Sequence, residues 1–258
     1  MPLRYLTANI RRIRQIHRIR RAPSRLLHWL RRRADARACR TVLVLGDSHV
    51  RVFEHWWLLW AWRDVRWHVE YVPGGTATGL YNKKSLSQAH TRFVQALASV
   101  ECECVILNLG EVDTGHALWA KAARDGSDVQ VMLTTAIERY ARFIRETASR
   151  HRLIVLSAPL PTVPDGVQAE DEVMTLRSAL NRSLRERTAL TLEFNRQVAA
   201  VCAELAVPYL NDAASSLGAD GQVRPSWQRR RVDHHYHRLT YARWLSRALR
   251  PYLALPRG

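Results

Sequence analysis

Residues 41–49 read TVLVLGDSH, an apolar run that ends at a glycine and three polar residues. A run rich in valine and leucine is typical of a strand that is covered on both faces, as the strands of parallel sheets are. Ser48 then lies where this strand gives way to the next helix. In open α/β sheets, ligands bind at the carboxyl ends of the strands. The stretch therefore predicts a parallel sheet with polar side chains at its working edge.

The rest of the chain repeats this alternation of strand and helix. Further strands are predicted at residues 65–72, 105–109, 153–157 and 207–210. Helices are predicted at residues 53–62, 85–100, 129–148, 174–205 and 239–253. Alternating strands and helices imply parallel pairing, with helices on both faces of the sheet. The 258 residues therefore predict one sizeable core, a three-layer α/β/α sandwich around a five-stranded parallel sheet.

The positive charge of the chain is concentrated at its start. Forty lysines and arginines against 23 acidic residues give a net charge of +17. Residues 1–40 hold 13 arginines and a single acidic residue, Asp35, and so carry +12 of this excess. Isoleucines and leucines recur there at three- and four-residue steps, which predicts one or two basic helices in residues 1–38. We therefore divide the chain into a basic helical extension, residues 1–40, and an α/β domain, residues 41–258.

The basic extension has three interpretations. It can lie on a membrane with anionic lipids, contact nucleic acid, or form a soluble, poorly ordered tail. The chain shows no nucleic-acid-binding motif and the remaining body is only mildly basic, which argues against nucleic acid. No apolar run approaches the roughly 18 residues of a membrane span, and none resembles the core of a secretory signal. We expect a cytoplasmic protein, with peripheral contact at the inner membrane face through residues 1–38 as an open hypothesis.

Four polar segments are expected to meet at the working edge of the sheet. They are residues 46–49, 74–75, 110–113 and 233–237. Ser48 precedes a helix, whose free N–H groups and positive dipole end favour a developing oxyanion. A serine nucleophile also needs a base and a group that orients the base, and Asp233 with its neighbouring histidines can supply both. A simple helix-capping turn at residues 46–49 is the alternative.

A zinc site and a pair of catalytic carboxylates are the alternatives to the serine site. His234, His235 and His237 with Asp233 could bind zinc, although adjacent side chains diverge and no second ligand cluster is visible. Glu111 and Asp113 could be a carboxylate pair for glycoside chemistry, but loop carboxylates more often accept backbone N–H groups. We expect no metal and no cofactor. The four cysteines lack a Cys-x-x-Cys spacing and are expected to be reduced, mostly buried thiols: Cys39, Cys102, Cys104 and Cys202.

The segment Gly-Asp-Ser-His at residues 46–49, with a late Asp-x-His, resembles the SGNH/GDSL hydrolase superfamily. The resemblance covers residues 41 to about 255 and implies a flavodoxin-like fold. Gly-Glu-Val-Asp at residues 110–113 is similar to a divergent bacterial branch of that superfamily. Position by position, the resemblance implies that Ser48 is the nucleophile and that Gly74 or Gly75 donates a backbone N–H to the oxyanion. Residues 110–113, with Gly110 and Asp113, fall in the third conserved block.

The sequence departs from the family pattern in two places. Val112 stands where the family has an asparagine that donates to the oxyanion, and the loss of one such donor typically costs about a hundred- to a thousandfold in turnover. Asn108 or His116 could replace that donor; otherwise hydrolysis is slow or the reaction differs. The late block reads Asp-x-His instead of Asp-x-x-His. We take His235 as the base and Asp233 as its partner, with His234 in reserve.

The resemblance implies a serine-dependent esterase that acts on an O-acyl ester of a small molecule or glycan through a Ser-His-Asp triad. Val112 keeps a second interpretation open, a non-hydrolytic accessory or glycan-binding protein with the same fold. A third is an O-acyltransferase in polysaccharide modification. The acyl group, the acceptor and the oligomeric state do not follow from the sequence.

Overall fold

The computed structural model describes residues 40–166, 182–229 and 233–253. Its centre is a five-stranded parallel sheet with the order β2-β1-β3-β4-β5. The strands are β1 (Arg40–Gly46), β2 (Val65–Tyr71), β3 (Cys104–Asn108), β4 (Leu153–Leu156) and β5 (Tyr209–Leu210). This order is that of flavodoxin-like sheets, so the predicted fold class is confirmed.

The helices connect these strands and cover both faces of the sheet. They are α1 (Trp56–Ala61), α2 (Ala89–Ser99), α3 (Leu118–Asp125), α4 (Val129–Ala148), α5 (Leu184–Glu204), α6 (Ala213–Ser216), α7 (Arg238–Ala248) and α8 (Arg250–Leu253). Shorter turns of 3-10 helix lie at Ser48–Glu54 and Pro225–Trp227, and a π-helical turn lies at Asp113–Ala117. In the part of the chain that the structure describes, no helix has both the length and the hydropathy needed to cross a bilayer.

Two hydrophobic clusters sandwich the sheet. Leu43 and Leu45 of β1 point into one cluster, with residues from α2, α4 and α5. Val42 and Val44 point into the other, with residues from α1 and α7. Because alternate side chains of a strand point to opposite faces, burial on both faces requires an unbroken apolar run. This is why β1 shows no alternation of polar and apolar residues.

The register of the central strands brings the polar segments together. Gly46 at the end of β1 pairs with Tyr71 of β2 and with Asn108 of β3. The carboxyl ends of these three strands therefore lie level. The chain leaves all three at the same edge of the sheet, and this edge carries the residues discussed below.

The structure differs from the predicted elements mainly in the helices. The tryptophan-rich helix expected at residues 53–62 is divided into a 3-10 turn and α1, with His55 between them in an extended conformation and its side chain capping Trp57. Helix α3 was not predicted. It continues a helical stretch that begins at Glu111, and polar residues with Gly115 make that stretch look like a loop in the sequence.

The longest predicted helix is shorter in the described chain. Helix α5 begins at Leu184, where Ser183 and Glu186 form a capping box. The first part of the prediction, residues 174–181, lies outside the described residues, as do the helices predicted in residues 1–38. Arg40, counted with the basic extension, is the first residue of β1 and pairs with Asp64 at 2.7 Å.

Gly110 closes β3 in a conformation that other residues rarely adopt. Its φ is +121°, and an added Cβ would lie 2.4 Å from Cε1 of Phe194 and 2.9 Å from Cβ of Ala158. We expect Gly110→Ala to lower the free energy of unfolding by about 2–5 kcal/mol, because backbone strain and overpacking add. Urea unfolding followed by circular dichroism measures this.

Gly126 provides the matched control. It has a φ of +63°, and an added Cβ would meet nothing within 4 Å. Gly126→Ala should therefore lower the free energy of unfolding only by the cost of the backbone strain, about 1–2 kcal/mol. Equal losses in the two variants would show that the contact with Phe194 does not constrain Gly110.

Candidate active site

Ser48 is held at the start of a 3-10 turn by the residue before it. The side chain of Asp47 caps this turn, with Oδ1 accepting the backbone N–H of His49 at 2.8 Å. Gly46 approaches the neighbouring strand so closely that a Cβ there would lie 2.4 Å from the carbonyl oxygen of Asn108. Glycine and aspartate thus shape the turn that presents the Ser48 hydroxyl.

The loop before α7 supplies a base to this serine. Nε2 of His235 lies 2.9 Å from Oγ of Ser48, and Nδ1 of His235 lies 2.7 Å from Oδ1 of Asp233. The carboxylate accepts the Nδ1–H, so Nε2 is left as the acceptor for the serine proton. The spacing Asp-x-His therefore gives a hydrogen-bonded chain from Asp233 through His235 to Ser48.

Neighbouring groups hold Asp233 in place. Its second carboxylate oxygen pairs with Arg229, which also donates from Nε to the carbonyl oxygen of Tyr236 at 3.2 Å. Thr162 donates to the carbonyl oxygen of Asp233 at 2.6 Å. Burial opposes ionisation of Asp233, but the hydrogen bonds and charge of His235, together with the charge of Arg229, hold its pKa well below the usual range. Asp233 is therefore a fixed negative charge behind the base.

His49 is a second histidine in the site, and it is buried and charged. Its Nδ1 lies 2.9 Å from Oδ1 of Asp47 and its Nε2 lies 3.1 Å from the carbonyl oxygen of His234. Both partners are acceptors, so both ring nitrogens carry hydrogen and the ring is an imidazolium. Burial alone would lower the pKa of His49, yet Asp47 and Glu111 raise it to about 9.

The charge of His49 acts on His235. The two ring centroids lie 4.6 Å apart. Burial lowers the pKa of His235, the hydrogen bond to Asp233 opposes this, and the positive charge of His49 lowers it further, to about 3. His235 is consequently neutral, the form that accepts a proton, far into the acidic range.

Asp113 fixes the loop that follows β2. This fully buried carboxylate accepts from the backbone N–H of Ala77 at 2.7 Å, from that of Thr78 at 3.0 Å, and from the Thr78 hydroxyl at 2.6 Å. Burial raises the pKa of Asp113 and these three hydrogen bonds oppose the rise. The contacts are those expected of a loop carboxylate that satisfies backbone donors, the alternative weighed against a glycosidase pair with Glu111.

The two glycines proposed for the oxyanion lie at the start of the same loop. Val72 donates its N–H to the carbonyl oxygen of Gly46 at 2.8 Å, which joins the end of β2 to the Ser48 turn. The N–H of Gly75 closes a tight turn onto the carbonyl oxygen of Val72 at 2.9 Å. Gly74 is exposed at the middle of this turn with a φ of +68°. Of the two, Gly75 therefore already uses its N–H in the turn.

The third block has the form of a helix start. Glu111 and Val112 open the helical stretch that continues through the π turn, and the N–H of Thr114 bonds to the carbonyl oxygen of Gly110 at 2.9 Å. Asn108, one candidate replacement donor, donates its side-chain amide to the carbonyl oxygen of Ser157 at 2.8 Å. His116, the other candidate, lies in the π turn. Asn108 is thus tied to the neighbouring strand end.

The histidines considered as zinc ligands separate into different roles. Ligand atoms of Asp233, His234 and His235 lie within 4.8 Å of one another. Both ring nitrogens of His235 are, however, engaged with Asp233 and Ser48, and a metal would have to displace these bonds. The ring of His237 turns instead to the hydroxyl of Thr240, at 2.9 Å. The donor set fits the serine–histidine–aspartate arrangement better than a metal centre.

Comparison with known proteins supports the fold but gives no sequence relative. No protein-family model matches the chain, and no curated protein matches its sequence. Among solved structures, it resembles a GDSL-like lipase from Bacteroides thetaiotaomicron (13% identity, TM-score 0.52), with 83% of this chain and 89% of the lipase covered. The chain shares the fold of this GDSL-like lipase.

Two carbohydrate esterases are similar to the same extent. A carbohydrate acetylesterase from Sinorhizobium meliloti is 16% identical with a TM-score of 0.53, and 83% of this chain and 98% of that one are covered. An acetyl xylan esterase is 12% identical with a TM-score of 0.53, and 83% and 99% are covered. At these identities the likeness establishes the architecture of the chain.

The sequence pointed to Ser48, Asp233 and His235 but missed the role of His49, Arg229 and Thr162. His49 belongs to the segment Gly-Asp-Ser-His at residues 46–49, so the sequence shows a histidine beside the nucleophile. Its charge was not visible, because its pKa is raised by Asp47 and also by Glu111 and the carbonyl group of His234, which lie further along the chain. Arg229 carried a usable signal, since it stands four residues before Asp233.

The contacts of Asp113 generate a stability prediction. Asp113→Ala leaves two backbone N–H groups without their acceptor, so we expect the free energy of unfolding to fall by about 2–5 kcal/mol. Thr78→Val removes only the hydroxyl contact and should cost about 1 kcal/mol. Urea unfolding measures both losses. Hydrogen exchange should accelerate at Ala77 and Thr78 in the first variant, and unchanged exchange there would contradict the anchoring role.

Proposed function

We propose that this protein is a serine-dependent esterase of the SGNH/GDSL type that cleaves an O-acyl ester. The observation that carries the proposal is the hydrogen-bonded chain from Ser48 through His235 to Asp233. Its two distances, 2.9 Å and 2.7 Å, lie in the range expected for a nucleophile and its oriented base. The shared fold with GDSL esterases supports the same conclusion.

In this proposal the reaction has two halves. Ser48 attacks the acyl carbonyl as its proton passes to Nε2 of His235, and Asp233 stabilises the imidazolium that forms. The proton then goes to the leaving alkoxide, and the acyl group stays on Ser48. Water, deprotonated by His235, releases the acid in the second half. Backbone N–H groups of Ser48 and Gly74 are the proposed donors to the oxyanion.

The substrate class we propose is an O-acylated glycan. Two of the structural neighbours are named for esterase activity on acetylated carbohydrate and on acetyl xylan. The support is architectural, because the identities are 12% and 16%. An acyl ester on a sugar hydroxyl also matches the general chemistry of the triad.

One feature favours a second candidate function. Val112 has no donor group at the position of the family's asparagine, which favours slow hydrolysis or a glycan-binding protein that has kept the fold. An O-acyltransferase is a related alternative, in which a sugar hydroxyl replaces water in the second half-reaction. Turnover assays with and without a sugar acceptor distinguish these from hydrolysis.

The triad predicts a large loss of activity on substitution. With p-nitrophenyl acetate as substrate, Ser48→Ala and His235→Ala should each lower kcat/KM by about a thousandfold or more. The double variant should lose no more than either single variant, since the two residues act as a unit. Release of p-nitrophenol measures all three rates.

His237→Ala is the matched control for these assays. Its ring is exposed, two residues from His235, and bonds to Thr240 outside the triad. We expect its rate to stay within about twofold of the native rate, as for surface substitutions generally. Equal rates for the native protein and Ser48→Ala would overturn the esterase proposal.

The pair of histidines predicts a shift in the pH profile. The native kcat/KM should stay flat well into the acidic range, because His235 with a pKa of about 3 remains a neutral base there. His49→Gln removes the neighbouring positive charge, so the pKa of His235 should rise. The acid limb should then move to higher pH by about one to two units.

The control for the pH profile is His68→Gln, which removes an exposed histidine from β2. Its acid limb should coincide with that of the native protein. A His49→Gln variant that melts like the native protein and keeps the native acid limb would show that His49 does not tune the base.

A further inference from the structure

A cleft far from Ser48 combines tryptophans with arginines. It lies between α1 and α7 and encloses about 760 Å³. The residues that matter for its chemistry are Trp57, Trp60, Arg63, Arg243, Arg247 and Arg250. None of them takes part in the contacts described for the triad. The cleft is therefore separate from the candidate active site.

The tryptophans of α1 are unusually exposed. Trp56 is 41% exposed and Trp60 is 47% exposed. Their rings form a row with Trp57, whose centroid lies 5.6 Å from that of Trp56 and 5.3 Å from that of Trp60. A contiguous exposed group of large aromatic side chains commonly marks a contact surface. Isolated exposed residues such as Leu86 and Val131 do not form such a row.

The net charge of the residues that line the cleft is positive. Its four arginines are exposed, and two of them lie over the indole rings: Arg243 at 4.7 Å from the Trp57 centroid and Arg63 at 5.7 Å from that of Trp60. The acidic residue in the lining, Asp64, pairs with Arg40 at 2.7 Å. An anionic partner therefore fits the cleft best.

The position of the cleft links it to the basic start of the chain. Asp64 directly precedes β2 and Arg40 begins β1, so the cleft reaches the amino ends of these strands. Residues 1–40 carry +12, and the last of them, Arg40, begins β1 at that same edge. Ser48, in contrast, follows the carboxyl end of β1. The cleft thus lies towards the edge of the sheet at which the basic segment is joined to β1, and the triad lies at the opposite edge.

Electrostatics excludes two occupants of the cleft. Segment 1–39 carries twelve arginines and one acid, and it would be repelled by arginines 63, 243, 247 and 250. A second copy of the chain, related by two-fold symmetry, would bring the same arginines face to face. Anionic lipid offers phosphates for the arginines and an interfacial layer that indole rings prefer.

We propose that the cleft between α1 and α7, with the exposed tryptophans of α1, is a docking surface for membranes that contain anionic lipids. The arginines contact headgroup phosphates and the rings of Trp56 and Trp60 enter the interfacial layer. Docking at this surface leaves the triad at the opposite edge of the sheet free of the bilayer. Binding and catalysis therefore use separate residues and can be tested separately.

The test is cosedimentation of the full chain with vesicles of phosphatidylcholine alone or mixed with phosphatidylglycerol. The native chain should bind the mixed vesicles and release them as salt is raised. Arg247→Glu with Arg250→Glu should weaken this binding by about tenfold or more, since each basic residue near such a surface contributes about 1 kcal/mol. Trp56→Ser with Trp60→Ser should also weaken this binding. These substitutions remove two exposed aromatic rings without changing the charge of the chain.

Matched controls change equal charge or apolar surface elsewhere. Arg145→Glu with Arg150→Glu makes the same charge change at the end of α4, on the other face of the sheet. Leu86→Ser with Val131→Ser removes other exposed apolar residues. Both controls should bind within about twofold of the native chain, as expected for positions outside the contact.

Three results would overturn the proposal. The first is that the native chain does not bind the mixed vesicles. The second is that the Arg247/Arg250 double variant and its Arg145/Arg150 control bind these vesicles equally well. The third is that the native chain binds an RNA oligonucleotide more tightly than the vesicles and that the cleft variants lose this RNA binding. Melting curves and the p-nitrophenyl acetate rate should match the native values in all four variants. Ser48→Ala should bind vesicles as the native chain does, so a failure of the esterase proposal leaves this test intact.

Discussion

The hydrogen bond from the His49 ring to the carbonyl oxygen of His234 joins two parts of the chain that are 185 residues apart. One part is the turn that presents Ser48; the other is the loop that carries His235. The register of β1 against its neighbours places the turn, but the loop before α7 belongs to no strand. The loop depends on His49 from one side, and on Arg229 and Thr162 from the other. The distance between nucleophile and base follows from these contacts.

Much of the architecture could be predicted because burial on both faces leaves a simple signature. Strands β1, β3 and β4 are unbroken apolar runs, and each was predicted within about one residue at either end, closer than such boundaries usually are. The short β5 was less visible, since Pro208 lacks a backbone N–H and limits the strand to two residues. Helix α3 was hidden by its start, where Gly115 and buried polar groups resemble a loop. Tertiary contacts of Asp113 and Thr114, not local propensity, support that start.

The residues of the candidate site also fall into two groups: those that the sequence identifies and those whose roles only the structure explains. Ser48, Asp233 and His235 are recognisable because a strand end and a spacing identify them. Asp113 belongs to the second group, because a carboxylate at a strand end can be either a catalytic group or an acceptor for backbone N–H groups. Only its three contacts to the loop after β2 distinguish the two. Sequence patterns therefore locate the polar residues of the working edge, while their roles depend on partners far along the chain.

The charge of His49 also explains why two buried acids can lie beside the nucleophile. Asp47 and Glu111 are both fully buried, and an unpaired buried carboxylate is strongly destabilising. Nδ1 of His49 lies 2.9 Å from Asp47 and 4.0 Å from Glu111, so one cation serves both acids. A neutral side chain at position 49 would remove the positive charge that both acids share. The histidine after the serine and the glutamate in Gly-Glu-Val-Asp are therefore physically coupled. The charge that His49 holds between these acids also lowers the pKa of the nearby His235 and so keeps the resting base neutral.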